Sequence, residues 1–475
     1  MEHTGYWNGT EPVAAGPPLS GDLECDICIV GGGFTGLWSA HFLKEAEPSA
    51  DIHVLDAAQV GAGASGLAGG FLYLAPSKVL RRLLWYYGRE KAAGVYRSVA
   101  RSIVEIGRFC RQHGVDADYE STGMLQVVTS SKQLARLELQ MKRADRTGLS
   151  GFKLLAGDAA RERIGSPVVR AAVKTSGALV NPHRLVHGLA RVVRGQGVAI
   201  HEQTAVTGIS RVGDKFRVTT ARGVVTAREV VVATGGWQHT FPELRQRTCP
   251  IWTYAVVTEP LSDAQLGRVA WPGREGLANI SNFPIGARLT PDNRVMWTGG
   301  RWHYYAGRDT DPAHVANEQA YAALRQSFAE FFPAWRDVRF THSYGGIIDW
   351  SRNFIPQFGR TPSGIVYAHG YTGNGLAASH TGGKIVRDLV LRRTTEFSEL
   401  AFVTVHQPTF LPGTFGDMGA DLFIWRQKVG DAIPLLLPHR AAISPRAFFA
   451  TAAKRRAVAA ARRRPAVAAR NAERS

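Results

Sequence analysis

Gly31, Gly33 and Gly36 stand at the spacing G-x-G-x-x-G within Gly31-Gly32-Gly33-Phe34-Thr35-Gly36. Glycines so placed can cradle a pyrophosphate. Gly31 lets the chain turn sharply, Gly33 lets backbone approach the phosphates, and Gly36 lets the next helix pack close to the sheet. A helix opening at Phe34 and Thr35 aims free N–H groups at the anion. Asp56 lies further along, where an acidic side chain receives ribose hydroxyls. The apolar run Ile27-Cys28-Ile29-Val30 reads as a strand buried on both faces that feeds the turn. Leu37, Ala40 and Leu43 continue at helical spacing, and Ile52-His53-Val54-Leu55 forms a second strand ending at Asp56. Alone the glycines are a weak signal; with strand, helix, strand and acid in register they define a dinucleotide site. They do not choose between nicotinamide and flavin.

Three later stretches bear on that choice. Gly61-Ala62-Gly63-Ala64-Ser65-Gly66-Leu67-Ala68-Gly69-Gly70 is so free of side chains that its backbone can lie against something flat or charged. The strand-like Val230-Val231-Val232-Ala233 ends in Thr234-Gly235-Gly236. A longer cofactor that crosses the domain needs this second strand end; a nicotinamide cofactor does not. Tyr344-Gly345-Gly346-Ile347-Ile348-Asp349 is followed by Gly370-Tyr371-Thr372-Gly373-Asn374-Gly375, which opens a helix running to Leu391. Aromatic side chains interleave with Arg301 on the strand-like segments around Trp252, Tyr254, Trp297, Trp302 and His303, a pattern that suits a ligand wall or a sheet packed on a helix.

Other constellations read as structural. Cys25 and Cys28 have the spacing of a redox dithiol, but they flank a buried strand instead of a helix N-terminus. His183 and His187 stand at i, i+4 with no third ligand, so no metal site is expected. No run of eighteen apolar residues occurs, so no transmembrane helix is expected. The N-terminal residues lack the basic and apolar regions of a signal peptide, so the protein reads as cytoplasmic. The formal charge is +18, and half of it comes from residues 440–475, where ten Lys or Arg face the single Glu473. That excess belongs to a tail, so no specific nucleic-acid partner is expected; weak contact with an anionic surface through the tail is the alternative to a solvated, partly disordered segment.

Taken together, Ile29 to Leu37, Gly63-Ala64-Ser65-Gly66, Ala233-Thr234-Gly235-Gly236 and Gly370 to Gly375 resemble the FAD-dependent amine oxidoreductases of the D-amino-acid-oxidase-like superfamily, nearest to gamma-glutamylputrescine-oxidase-like and glycine or sarcosine oxidase-like members. The resemblance runs from about Tyr6 to Val403. It implies an α/β fold: a discontinuous Rossmann-type FAD domain of the glutathione-reductase kind over 22–90, 175–245 and 340–400, with an inserted α+β substrate domain over 91–174 and 246–339. An N-terminal arm (1–21), a C-terminal extension (401–439) and the basic tail (440–475) complete the chain. Gly31, Gly33 and Gly36 would meet the pyrophosphate, Asp56 the ribose, and Ser65 and Gly66 the phosphates or the flavin. Gly345, Gly346 and the Gly370 to Gly375 loop would lie near the isoalloxazine, where a helix N-terminus at Asn374-Gly375 suits a ring that becomes anionic on reduction.

Many relatives carry Arg-Asn where this chain has Leu67-Ala68. Neither a His in the 61–70 loop nor a Cys near Gly370 is present for a covalent flavin link, so the FAD is expected to be non-covalent. The expected activity is oxidation of a primary or secondary amine or amino acid by hydride transfer to flavin N5, with hydrolysis of the imine and oxygen or another acceptor taking the electrons. Arg301 is the candidate for a substrate carboxylate because its planar fork suits one, and Tyr254, His303 and Tyr344 are candidate wall residues. The rival readings are a non-catalytic flavin-binding protein with a basic interaction tail and a flavin enzyme acting on a non-amine substrate.

Overall fold

A computed structural model describes residues 5–10, 13–73, 78–403 and 407–432; the basic tail lies outside them. The principal elements are, in chain order, β1 (Leu23–Val30), α1 (Phe34–Ala46), β2 (Ile52–Leu55), α2 (Lys78–Gln112, bent at Gly88), α3 (Ser131–Thr147), β3 (Gly223–Val232), β4 (Thr248–Thr258), β5 (Val295–His303), α4 (Glu318–Phe331), β6 (Phe340–Ser351), β7 (Val366–His369), α5 (Gly375–Val390) and α6 (Gly413–Ala432).

The first sheet runs in the order Gln357–Arg360, β7, β3, β1, β2, Ala199–His201. All neighbours are parallel except the 357–360 edge, and an antiparallel hairpin extends from β3. β1 is central, and both of its faces are covered. Ile27 and Ile29 pack towards α1, α2 and α5, whereas Cys28 and Val30 pack among Phe216, Val218 and Val225. A strand sandwiched in this way must be apolar at consecutive positions, which is why the run 27–30 shows no alternation. Burial holds the thiols of Cys25 and Cys28 protonated, Cys25 at a pKa of about 12, so they are packing groups here.

The second sheet has the order β6, β4, β5, Ile285–Leu289, Gly276–Asn279, Met124–Val128, Ala171–Thr175, Lys153–Ala156. Its β4 strand is also covered on both faces. On β4, Trp252, Tyr254 and Val256 pack with Trp297 against Tyr321, Leu324 and Phe328 of α4. Ala255 and Val257 face the other way, onto Tyr6, Trp7 and Tyr344. The N-terminal arm is thereby tied down: Trp7 is buried and donates its indole N–H to the Ala68 carbonyl (2.9 Å), and the Tyr6 hydroxyl donates to Asp292 (2.7 Å).

Two segments sit differently from the sequence expectation. β6, expected in the 340–400 cofactor segment, is paired along its length with β4 in the second sheet. The first part of the expected substrate segment 91–174 is the second half of α2, whose Val95, Val99, Ile103 and Ile106 belong to the core that covers β1. Both result from long-range pairing, which local periodicity does not encode.

Candidate active site

Between the two sheets lies a cavity of about 1860 Å³, well above the ~300–1,000 Å³ of ordinary small-molecule pockets. One end is the turn after β1. Gly31 has φ +112°, and a Cβ there would stand 2.5 Å from the Ala233 carbonyl oxygen; a Cβ on Gly33 would stand 2.9 Å from Ser65 Oγ. Ser65 Oγ in turn accepts from the Phe34 N–H (3.0 Å), joining the 61–70 loop to the first turn of α1. Asp56 at the end of β2 accepts from the N–H groups of Gly32 (2.6 Å) and Ala58 (2.9 Å). Burial still raises its pKa, outweighing those two bonds. Thr234, at the end of β3, has a buried hydroxyl oxygen with no protein partner. Glycine turns open to an elongated cavity, helix N–H groups and an unmatched buried hydroxyl fit a dinucleotide with a pyrophosphate at its middle.

The other end is built by β6 and the loop before α5. Asp349 is fully buried, and its carboxylate accepts from the backbone of Gly370 (2.5 Å), Tyr371 and Thr372. The Asp349 carbonyl accepts from Thr372 N (3.0 Å). These bonds hold a loop in which Gly370, Thr372 and Gly373 all have positive φ (82°, 54° and 81°). α5 then starts at Gly375 with no side-chain cap on its first turn, which leaves N–H groups for the cavity. Burial pushes Asp349 up to about 6, more than its three N–H bonds pull it down. Thr35 Oγ1 donates to the Tyr371 hydroxyl (2.9 Å), linking the two ends.

Most of the expected cofactor residues line this cavity: Gly31, Gly33, Phe34, Thr35, Asp56 and Ser65 at one end, Thr234 and Gly235 beside them, and Gly346, Gly373, Asn374 and Gly375 at the other. Gly36, Gly66, Gly345 and Gly370 stand behind it. Each is glycine because something packs against it: a Cβ would run into the Gly31 carbonyl from Gly36, the Gly61 carbonyl from Gly66, the Tyr254 ring from Gly345 and Ser351 from Gly370. Leu67 and Ala68 give an apolar floor beside Gly346.

Two of the four expected substrate residues, Arg301 and His303, lie off the cavity. Arg301 is exposed and does not line the cavity. His303 sits edge-on to Tyr254, ring centroids 5.2 Å apart, also off the cavity. Tyr254 borders the cavity, yet its ring turns into the α4 core, where its hydroxyl donates to the His314 carbonyl (2.9 Å) beside Tyr305 and Asn317. For Arg301 and His303 the cause is a bulge: Gly299 and Gly300 have φ +94° and +76°, and the pairing with β4 jumps from Gly299 opposite Tyr254 to His303 opposite Trp252. A bulge changes which face the next residues take. Tyr344 does line the cavity, buried, with its hydroxyl directed at Met296 Sδ (3.7 Å).

The cavity's cations come from helices whose charges the sequence does not distinguish from a solvated face. Arg81 and Arg82 of α2 and Lys132, Arg136 and Arg143 of α3 all line it. The Arg82 guanidinium lies 4.0 Å above the Phe354 ring, and its Nη1 is buried without a hydrogen-bond partner. Burial, reinforced by Arg81, lowers its pKa to about 10. Arg81 and Arg143 are likewise lowered by burial and then by a neighbouring arginine. Among the described lining residues the carboxylates are Asp56 and Asp349, both already bonded to backbone N–H groups.

A dinucleotide cradle opening onto a closed wall formed by a second sheet defines a flavin-dependent oxidoreductase. The chain belongs to the family of FAD-dependent oxidoreductases (DAO), which it matches over residues 26–389. It is 31% identical to gamma-glutamylputrescine oxidoreductase of Escherichia coli (strain K12) over 90% of this chain and 99% of that protein. It is 26% identical to glycine oxidase of Pseudomonas putida over 78% of this chain and 95% of the relative. In fold it is similar to glycine oxidase from Bacillus cereus, with a TM-score of 0.64 over 81% of this chain and 99% of that one, at 20% identity. The expected cofactor is thus FAD. No helix among the described residues is long and apolar enough to cross a membrane.

Proposed function

We propose that this FAD-dependent oxidoreductase oxidises the C–N bond of a primary or secondary amine that also carries a carboxylate. The observation that carries the reading is the cation-lined part of the cavity, where half-buried Arg82 has a buried Nη1 with no hydrogen-bond partner, and no acid paired with it, among the described residues. A buried unpaired charge is costly and is retained where a ligand supplies the partner. Glycine and gamma-glutamylputrescine, for which two of the relatives are named, each combine an amine with a carboxylate.

When bound, FAD supplies the acceptor for the hydride on the carbon bearing nitrogen. The chain's residues bind and orient. Gly31, Gly33 and the α1 N–H groups of Phe34 and Thr35 would hold the pyrophosphate, Asp56 the ribose, and Thr234 the hydroxyl-rich middle of the cofactor. Asn374 and Gly375 would direct the N-terminus of α5 at the ring. Arg82, with Arg81 and Arg143, would grip the substrate carboxylate, while Tyr344, Leu67 and Phe354 keep water from the reacting carbon. No lining carboxylate is free to act as a base, so the amine must lose its proton otherwise. The same cations that hold the carboxylate disfavour a nearby ammonium and lower its pKa.

Anaerobic mixing of the purified protein with matched substrates tests this. An N-alkyl amino acid should reduce the flavin at far lower concentration than the same amine lacking the carboxylate. Equal reduction by both overturns the carboxylate, and reduction by neither overturns amine oxidation.

A further inference from the structure

The helix α6 is apolar on two faces: Phe423 and Ile424 pack on Trp350 and Phe354 of the body, and a second apolar stripe faces outwards. Gly416, Ala420 and Ile424 are buried against the body, the last two among Trp350, Phe354 and Phe410. Four other large apolar residues face outwards, with Phe415 74%, Met418 63%, Leu422 62% and Trp425 60% exposed. They stand at i, i+3, i+7 and i+10, which places them on one stripe of a helix. Leu411, just before the helix, is 60% exposed and extends the patch. Asp417 is engaged with the body, its carboxylate taking the Tyr304 hydroxyl and the Gly307 N–H. Contiguous large apolar side chains on a surface mark an interaction site.

The sequence beyond α6 identifies the partner. Residues 433–438 read Ile-Pro-Leu-Leu-Leu-Pro, and residues 440–475 carry ten Lys or Arg against one Glu; both lie outside the described residues. An outward stripe of Phe, Met, Leu and Trp succeeded by a strongly cationic segment is the composition that binds the interface of an anionic bilayer: the apolar side chains enter the acyl boundary and the cations meet the headgroups. An uncharged protein surface would not be matched to such charge. The described helices are too short or too polar to span, so the contact is peripheral. We infer that α6, with the basic segment after it, docks this protein on an anionic lipid surface. α6 also contributes Arg426 and Gln427 to the cavity wall, and its core neighbours Trp302 and Phe354 line the same cavity. Docking would therefore set the cavity's α6 side towards the bilayer.

The experiment uses the full-length, FAD-loaded protein and sedimentation with vesicles. Vesicles of phosphatidylcholine with phosphatidylglycerol should carry the protein down at least tenfold more strongly than phosphatidylcholine alone, and raised salt should weaken binding. The double substitution Leu422→Gln/Trp425→Gln should lower partitioning at least tenfold with flavin absorbance and thermal midpoint unchanged; Phe415→Ser/Met418→Ser serves as a second variant should the first lose its flavin. Absence of binding to the anionic vesicles at low salt overturns the inference. Binding that survives both double substitutions overturns the role of α6. Two results without lipid do the same: a dimer in sedimentation velocity that the substitutions dissociate, which makes a second copy the occupant, or an apolar-dye site that appears only on deletion of residues after Arg440, which makes the tail the cover.

Discussion

Replacing Arg82 by Leu should make the protein more stable and a poorer catalyst. The guanidinium is charged at neutral pH in both the folded and unfolded states. Its folded pKa, lowered from 12.5 to about 10, means that carrying the charge in the fold costs about 3 kcal/mol at ~1.36 kcal/mol per pKa unit. The sign is that of a depressed base: the penalty is constant below the folded pKa and is relieved only as pH rises towards the unfolded value. Leu removes it and keeps an apolar contact with Phe354, while the lost cation–π contact gives back about 1 kcal/mol. The net expectation is a gain of about 2 kcal/mol, flat from pH 6 to 9, read as a higher thermal midpoint without substrate. A charge-assisted hydrogen bond contributes about 1.5–3 kcal/mol, so the Kd of a carboxylate-bearing substrate should rise about 10- to 100-fold. A carboxylate-free amine should be unaffected. Arg82→Lys, which keeps the charge without the fork, should fall between. A variant that is less stable and binds carboxylates as well as before would show Arg82 to be a structural prop of Phe354 and refute the reasoning.

Gly33→Val should abolish flavin binding, because a branched side chain would occupy the space between the turn and Ser65 Oγ; the absorbance of the purified variant checks this. Acid precipitation of the native protein should release all its FAD, and yellow colour kept in the pellet would contradict a non-covalent cofactor. Asp349→Asn should lose part of the stability's pH dependence. The folded pKa is raised from 3.8 to about 6, so the native contribution is complete below about pH 4 and is lost as pH rises through 6. The thermal-midpoint difference, native minus variant, should grow as pH falls from 6.5 to 4.5, and a flat difference would mean that Asp349 titrates normally. Flavin reduction at limiting substrate should rise with pH through the neutral range as the neutral amine, with a free pKa near ~10, becomes available; reduction fastest in acid, with no slowing by deuterium at the carbon bearing nitrogen, would exclude hydride transfer from a neutral amine.

The cofactor end of this protein is legible from its sequence because it is local. β1, the glycine turn, α1 and β2 are contiguous, and their geometry needs residue types that few other structures need: glycine where φ is positive at Gly31 and an acid at Asp56 to hold the turn's N–H. The strand ends at Thr234-Gly235 and Gly373-Asn374-Gly375 are readable for the same reason. The substrate end depends on parity and pairing. Period-two alternation on β4 says that Tyr254 and Ala255 face opposite ways, but only the packing of α4 on one face and of Trp7 and Tyr344 on the other decides which way the cavity lies. The bulge at Gly299-Gly300 then turns Arg301 outwards, an event set by the register of β5 against β4 and not by anything near Arg301 in the chain. Arg82 shows the converse. On its helix it is one arginine among several, indistinguishable from a solvated one, and its Nη1 becomes buried with no partner among the described residues only when α2 is laid against α3 and Phe354. Short-range geometry is written in residue type, whereas which charge is taken out of water depends on partners far away in sequence, and only the tertiary structure supplies those.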